Sequence, residues 1–174
     1  MGVLDLEAKI DLLEQQARQC NVEISNIPER RNENLIDLLE CLGKQIGYSI
    51  RKEDVVSIHR VPHAAQNNKP KNIVAKFTTR IQRDNTGCKE HQQLGISGTS
   101  HKVFVNEHLT LRNKQLFRKA REAASSEGYK FVWTKHSTIL VRETENSAVL
   151  AIRTIEDIGK IKANTKSAKT NSSM

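Results

Sequence analysis

Cations and aromatic rings alternate through residues 102–143, and the chemistry this combination offers is contact with a polyanion. The stretch reads KVFVNEHLT, then NKQLFRKAREAASSEG, then YKFVWTKHSTILVRE, and holds five of the chain's seven aromatics: Phe104, Phe117, Tyr129, Phe131 and Trp133. Lys and Arg neutralise phosphates without reading sequence, and ring faces stack on unpaired bases. Lys114, Arg118 and Arg121 recur at spacings of four and three, which puts them in one basic stripe on a helix. A solvated helix face carries the same pattern, and Arg118 with Glu122 is an ordinary i,i+4 pair. In YKFVWTK, the period of two sets Tyr129, Phe131 and Trp133 on one strand face and Lys130, Val132 and Thr134 on the other. Phe131 reads as core. Trp133 stands at the strand end beside Lys135 and His136, where stacking on a base is open to it.

The first half of the chain offers cations but few rings. NVEISNI contains no aromatic and NIVAKF only Phe77, so the aromatic pair of ordinary RNA-recognition motifs is lacking. Contact there falls to charge and loops, with His59 and Arg60 before Pro62, Lys76, Arg80, Arg83 and Lys102 as candidates. The second half adds Lys130, Lys135 and Arg142 to the helical stripe and Trp133. Charge is distributed accordingly. Residues 1–62 carry eight Lys/Arg against eleven Asp/Glu, whereas residues 63–142 carry fifteen against five, a local net of +10 in a chain of +8. A domain-sized block of that sign is the footprint of a partner rich in phosphate.

Bond-breaking chemistry finds little support. Cysteine and histidine pairs at metal-ligand spacing are missing, and the six histidines are scattered over positions 59 to 136. LGISGTSHK lacks the Gly-Lys-Ser/Thr ending of a phosphate-cradling loop. Cys41 lies within an apolar helical pattern and reads as core. The expectation is a protein that is not an enzyme and holds neither metal nor cofactor. Three cysteines, odd in number, suggest reduced thiols in the cytoplasm or nucleus. There is no apolar run of the roughly 20 residues a membrane helix needs, the N-terminal stretch lacks the pattern of a signal peptide, and Leu6 replaces the Ser or Thr of a myristoylation signal.

The elements that must position these residues can be read from periodicity. Val3, Leu6, Ile10, Leu13, Ala17 and Cys20 fall at alternating spacings of three and four, a narrow heptad seam over residues 1–20. It is either an amphipathic helix folded back on the domain or the end of an oligomerising coil; the narrowness of the seam favours the coil, with Leu6, Ile10, Leu13 and Ala17 as its contacts. From residue 21 to 108 the order is strand, helix, strand, strand, weak helix, strand. The first helix is capped by Asn32 or Asn34 and ends at Gly47. That order is the split-βαβ sandwich of RNA-recognition-like domains. Residues 109–163 follow as a small α-β-β-β-α domain, opened by Thr110 as N-cap and turned at His136-Ser137. Residues 164–174 are Ser/Thr/Lys-rich and read as a disordered tail. The expected class is therefore α+β, with an N-terminal coiled-coil helix and two small domains.

The same motifs carry a resemblance. NVEISNIPERRNENLIDLL, VSIHRVP, KNIVAKF, VFVNEHLT, YKFVWTK and ILVRE, in that order over about residues 5–162, resemble the FP ("few polyhedra") family, which includes the baculovirus FP protein and FP-like domains of insect non-LTR retrotransposon first-frame proteins. At greater distance the layout is similar to LINE first-frame proteins. The resemblance implies single-stranded nucleic-acid binding shared by the last two modules, oligomerisation through the coil, and an origin in a transposable element. Under it, Arg60 matches a shared His-Arg-x-Pro motif, Arg83 falls in a basic second-helix region, and Lys114 to Arg121 match a basic C-terminal-domain helix. The segment RIQRDNTGCKEHQQLGISG departs from that pattern: it is shorter and less basic, with Asn85-Thr86-Gly87 expected to interrupt the helix. The chain thus reads as a homo-oligomeric binder of single-stranded RNA or DNA. The competing reading is a protein-interaction adaptor built on the coil and the basic C-terminal module.

Overall fold

In NVEIS every second side chain is apolar, and in the computed structural model of the chain this stretch is the central strand of a five-stranded sheet, with Val22 and Ile24 buried. The structure describes residues 2–63, 67–87, 94–95 and 102–162; the expected tail at 164–174 lies outside them. The fold is α+β, built from two antiparallel sheets in two units, Met1–Thr110 and Leu111–Met174.

The first unit runs α1 (Val3–Ala17), β1 (Asn21–Ser25), α2 (Leu35–Ile46), β2 (Val55–Arg60), β3 (Ile73–Phe77), α3 (Arg80–Gly87), β4 (Leu94–Gly95) and β5 (Lys102–Glu107). Its strands lie in the order β2-β3-β1-β5-β4, with every pair antiparallel. Val22, Ile24, Ile73, Ala75, Phe77 and Val103 form one face of that sheet and close the core against Leu39 and Leu42 of α2. Asn34 caps α2 by accepting from the N–H groups of Ile36 and Asp37, and Gly47 ends it at φ 76 in the left-handed region. Gly43 lets the helix approach the chain that follows it: a Cβ there would lie 2.5 Å from the Tyr48 carbonyl oxygen. Cys41, expected in the core, is exposed, because Leu39 and Leu42 define the inward face and Cys41 lies off it. The described part of α3 runs through Asn85-Thr86-Gly87, the stretch expected to interrupt it, and ends at Gly87. Thr86 is buried and its hydroxyl donates to the Gln82 carbonyl one turn back, which keeps a polar residue compatible with the helix.

Helix α1 does not lay its heptad seam on this unit. Val3, Leu6, Ile10 and Leu13 are 71%, 49%, 56% and 64% exposed, and Ala17 is exposed as well. The helix is held at its C-terminal end by polar contacts. The buried Gln15 donates from Nε2 to the His108 carbonyl at 3.0 Å and accepts from the Thr110 N–H at 2.9 Å, while Arg18 donates to the Leu109 carbonyl at 2.9 Å. No described helix is long and apolar enough to cross a membrane.

The second unit runs α4 (Leu111–Ser126), β6 (Phe131–Lys135), β7 (Thr138–Arg142) and β8 (Leu150–Ile152), closed by a 3₁₀ turn at Glu156–Lys160. Gly128 at φ 76 stops α4, and the Tyr129 N–H returns to the Ala124 carbonyl. Leu116, Ala120 and Ala124 of α4 meet Ile139, Val141 and Ile152 of the sheet β6-β7-β8. The closing turn is held by Asp157, which accepts from the N–H groups of Arg153 and Thr154 and pairs with Lys160 at 2.7 Å. Lys160 first, then those N–H bonds, hold its carboxyl down to about 2.

Two arginines expected at a phosphate are structural. Arg60 has all five of its N–H groups engaged: Nε and one Nη2 proton grip Glu33 at 2.9 and 2.8 Å, and the rest donate to the carbonyls of Ile27, Pro28 and Lys71. Its side chain is 11% exposed and that of Glu33 21%. The fork ties the end of β2 to the loop leaving β1 and to the segment before β3, so the His-Arg-x-Pro motif serves the fold. Arg83 is more deeply enclosed, at 2% side-chain exposure, between Asp84 at 2.6 Å and Glu107 at 3.2 Å. Glu107 is itself buried, so the pair brings two opposite charges together inside the unit.

The Arg60–Glu33 pair makes a prediction. Hydrogen bonding by Arg60 holds the Glu33 carboxyl below its ordinary range. A depressed carboxylate contributes stability that is complete above its unfolded value and lost as pH falls through its folded one. Urea unfolding of Arg60→Leu is expected to show a loss on the order of 3 kcal/mol at neutral pH, and Glu33→Gln to flatten the acid limb of the stability curve below the ordinary carboxylate range. An unchanged midpoint in both variants would contradict the pinning role.

Candidate nucleic-acid interface

Antiparallel register decides which cations share a surface. In the first unit, β2, β3, β1 and β5 turn one face to the helices, leaving Ser57 and His59, Lys76, Glu23, and Phe104 and Asn106 on the other. Of the residues singled out in the sequence, His59, Lys76 and Lys102 are exposed and belong to that outer face, whereas Arg80 is exposed at the start of α3. Arg60 and Arg83 do not reach it, for the reasons given above. Phe104, 41% exposed, supplies the one ring of this face, and it lies on β5, beside β1.

In the second unit α4 presents Arg112, Lys114, Arg118, Lys119 and Arg121 to solvent. Arg118 approaches Glu122 at only 4.0 Å with both side chains about 70% exposed, a pair of little energetic weight. Arg121 lies 5.7 Å from the Phe117 ring. Arg112 and Lys119 flank the stripe at spacings of three and four on the same helix, and the spacing alone does not mark them.

Trp133, Lys135 and Arg142 do not join that stripe. The pairs Val132↔Val141, Val141↔Leu150, Thr134↔Ile139 and Ile139↔Ile152 make the row beneath α4. The alternate pairs Phe131↔Arg142, Trp133↔Leu140 and Lys135↔Thr138 therefore lie on the face turned away from the helix. Phe131, read from sequence as core, is half-buried on this outer face. Ala120 and Ala124 of α4 form the core with the β-branched Ile139, Val141 and Ile152, and Phe117 and Tyr129 pack against this core while Phe131 and Trp133 do not. The Arg142 guanidinium lies over both aromatics, 5.1 Å from the Phe131 centroid and 5.8 Å from Trp133. Its Nε is buried without a hydrogen-bond partner. Lys130 precedes the strand and is exposed. The signal in the sequence was the apolar row Val132, Ile139, Val141, Ile152, which one helix suffices to cover.

The outer face ends at a strained turn. His136 and Ser137 form the two-residue loop between β6 and β7 with φ 48 and 64, a conformation that favours Asn-Gly. Among the described residues no cluster of three or more His, Cys, Asp or Glu side chains could hold a metal ion.

Residues 110–162 match the family model described as Baculovirus FP protein domain 2, a stretch that spans α4, the three strands and the closing turn. Comparison with curated proteins gives no match.

Replacing His136-Ser137 by Asn-Gly removes the left-handed strain of two side-chain-bearing residues. It is expected to raise stability by on the order of 1 kcal/mol, read as a higher melting temperature. A lower one would mean that contacts of these two side chains outweigh the strain.

Proposed function

From a chain that belongs, through residues 110–162, to the FP protein family, we propose a non-enzymatic protein that binds single-stranded nucleic acid with little sequence preference. The observation that carries this reading is the exposure of five cations along α4, in a stretch of net positive charge. Phosphate is the ligand class that a row of solvent-facing Lys and Arg fits, through counterion release and without base readout. The first unit supports the same reading. Strands β5-β1-β3-β2, with α2 and α3 between them in sequence, follow the split-βαβ order of RNA-recognition-like sandwiches. Its outer face carries His59, Lys76 and Lys102, with no outward ring on β1 or β3 and Phe104 on β5, so contact there is chiefly ionic.

Helix α1 supports a second part of the proposal, a homo-oligomer. Four seam residues, all about half exposed or more, leave an apolar stripe whose heptad spacing suits a second copy of the same helix. Oligomerisation would multiply the cationic surfaces on one strand and raise avidity without new contacts. The adaptor reading, in which the coil and the basic module dock an acidic protein, shares this helix and differs in the ligand of α4.

Two outcomes test the proposal. Affinity for a mixed single-stranded RNA is expected to fall steeply with salt, and Lys114→Glu, Arg118→Glu and Arg121→Glu together to abolish most binding while leaving the fold intact. In the milder variant with glutamine at all three positions, the log-affinity against log-salt slope is expected to shrink by about 2. No binding at low salt would sink the reading and favour the adaptor. For the helix, light scattering is expected to give a multimeric mass for the full chain and a monomeric one for Leu6→Glu/Ile10→Glu; equal masses would remove the oligomer.

A further inference from the structure

The face of the β6-β7-β8 sheet opposite α4 has the build of a second ligand surface. Phe131 and Trp133 stand two residues apart on β6, half-buried, with cations at either end of the row. Arg142, opposite Phe131, reaches across both rings; Lys135, opposite Thr138, is exposed beside the hairpin turn. Leu140 lies between them and completes an apolar floor with Ala151. A face this apolar on a small unit calls for an occupant, and its flanking charge selects one that is anionic. An acidic peptide would satisfy the cations and leave two ring faces unused. A single strand satisfies both, because phosphates and unstacked bases alternate along it. Arg142 carries the sharper indication. Its Nε–H is buried without an acceptor, an arrangement that costs free energy until a partner arrives.

We propose that this sheet face is a base-stacking site. An unpaired nucleobase stacks on Trp133, with Phe131 extending the platform, and Arg142 donates to the base edge or its phosphate while remaining over the rings. The inference rests on the nucleic-acid reading and adds to it a separate surface and a separate physical contact. Stripe and platform lie on opposite sides of the unit, α4 contributing charge and the sheet contributing stacking. Single strands are thereby preferred over duplexes, since only an unpaired base exposes its face.

Trp133 is the chain's sole tryptophan, so its fluorescence reports this site alone. The experiment titrates the full chain with an oligothymidylate and with an abasic strand of equal length, following binding by anisotropy of a labelled strand and stacking by tryptophan emission. Saturable quenching is expected with the oligothymidylate and none with the abasic strand, which binds through phosphates. Trp133→Leu is expected to weaken oligothymidylate binding about tenfold with an unchanged salt slope, and Trp133→Phe to restore most of it, which separates stacking from misfolding. Oligothymidylate binding without quenching, or equal quenching by the abasic strand, overturns the stacking site and leaves the phosphate reading standing. Failure of both strands to bind overturns the phosphate reading, and this one with it.

Discussion

A single helix covers one face of a three-stranded sheet and no more, and that constraint shapes the whole second unit. Ala120 and Ala124 bring α4 close, so the row beneath it accepts side chains of middling size: Val132, Ile139, Val141 and Ile152. The larger rings of Phe131 and Trp133 are displaced to the far side, where Arg142 partly shields them. Burial of β-branched side chains against alanine gives the unit its core. The same packing leaves an aromatic and cationic face that no element covers among the described residues of the unit. Core formation and the outward aromatic row are two consequences of one geometric fact.

The first unit shows the converse use of charge. Arg60 and Arg83 are drawn inward, one to fasten two loops through Glu33 and backbone carbonyls, the other to neutralise Glu107 beneath α3. An arginine fork with five satisfied donors fixes positions that apolar contact alone would leave free to slide. Positive charge in this protein thus divides into two populations. Buried guanidiniums define the fold of the first unit, and the cations of α4, β6 and the outer sheet face are exposed to solvent.

Helix α1 belongs to neither population. At its C-terminal end it is held by polar contacts, where Gln15 and Arg18 grip the backbone of His108, Leu109 and Thr110. Those bonds orient the helix while leaving its apolar stripe in solvent.

Local patterns along the chain specify the elements. Alternation in NVEIS and NIVAKF, the Asn34 cap, the stops at Gly47 and Gly128, and the heptad seam of α1 are local signals set by backbone geometry and side-chain period, and they need no partner to be read. The sequence also determines that positive charge and aromatic side chains concentrate in residues 102–143. Tertiary structure alone decided which of those side chains reach solvent. Arg60 and Arg83 look like any other cation until Glu33, Glu107 and three carbonyls close around them, and these partners lie up to 33 residues away. The inward row of YKFVWTK was equally undetermined, because period two defines two faces without saying which one a helix will cover. That choice rests on the small residues of α4, and it turned Phe131 from core to surface.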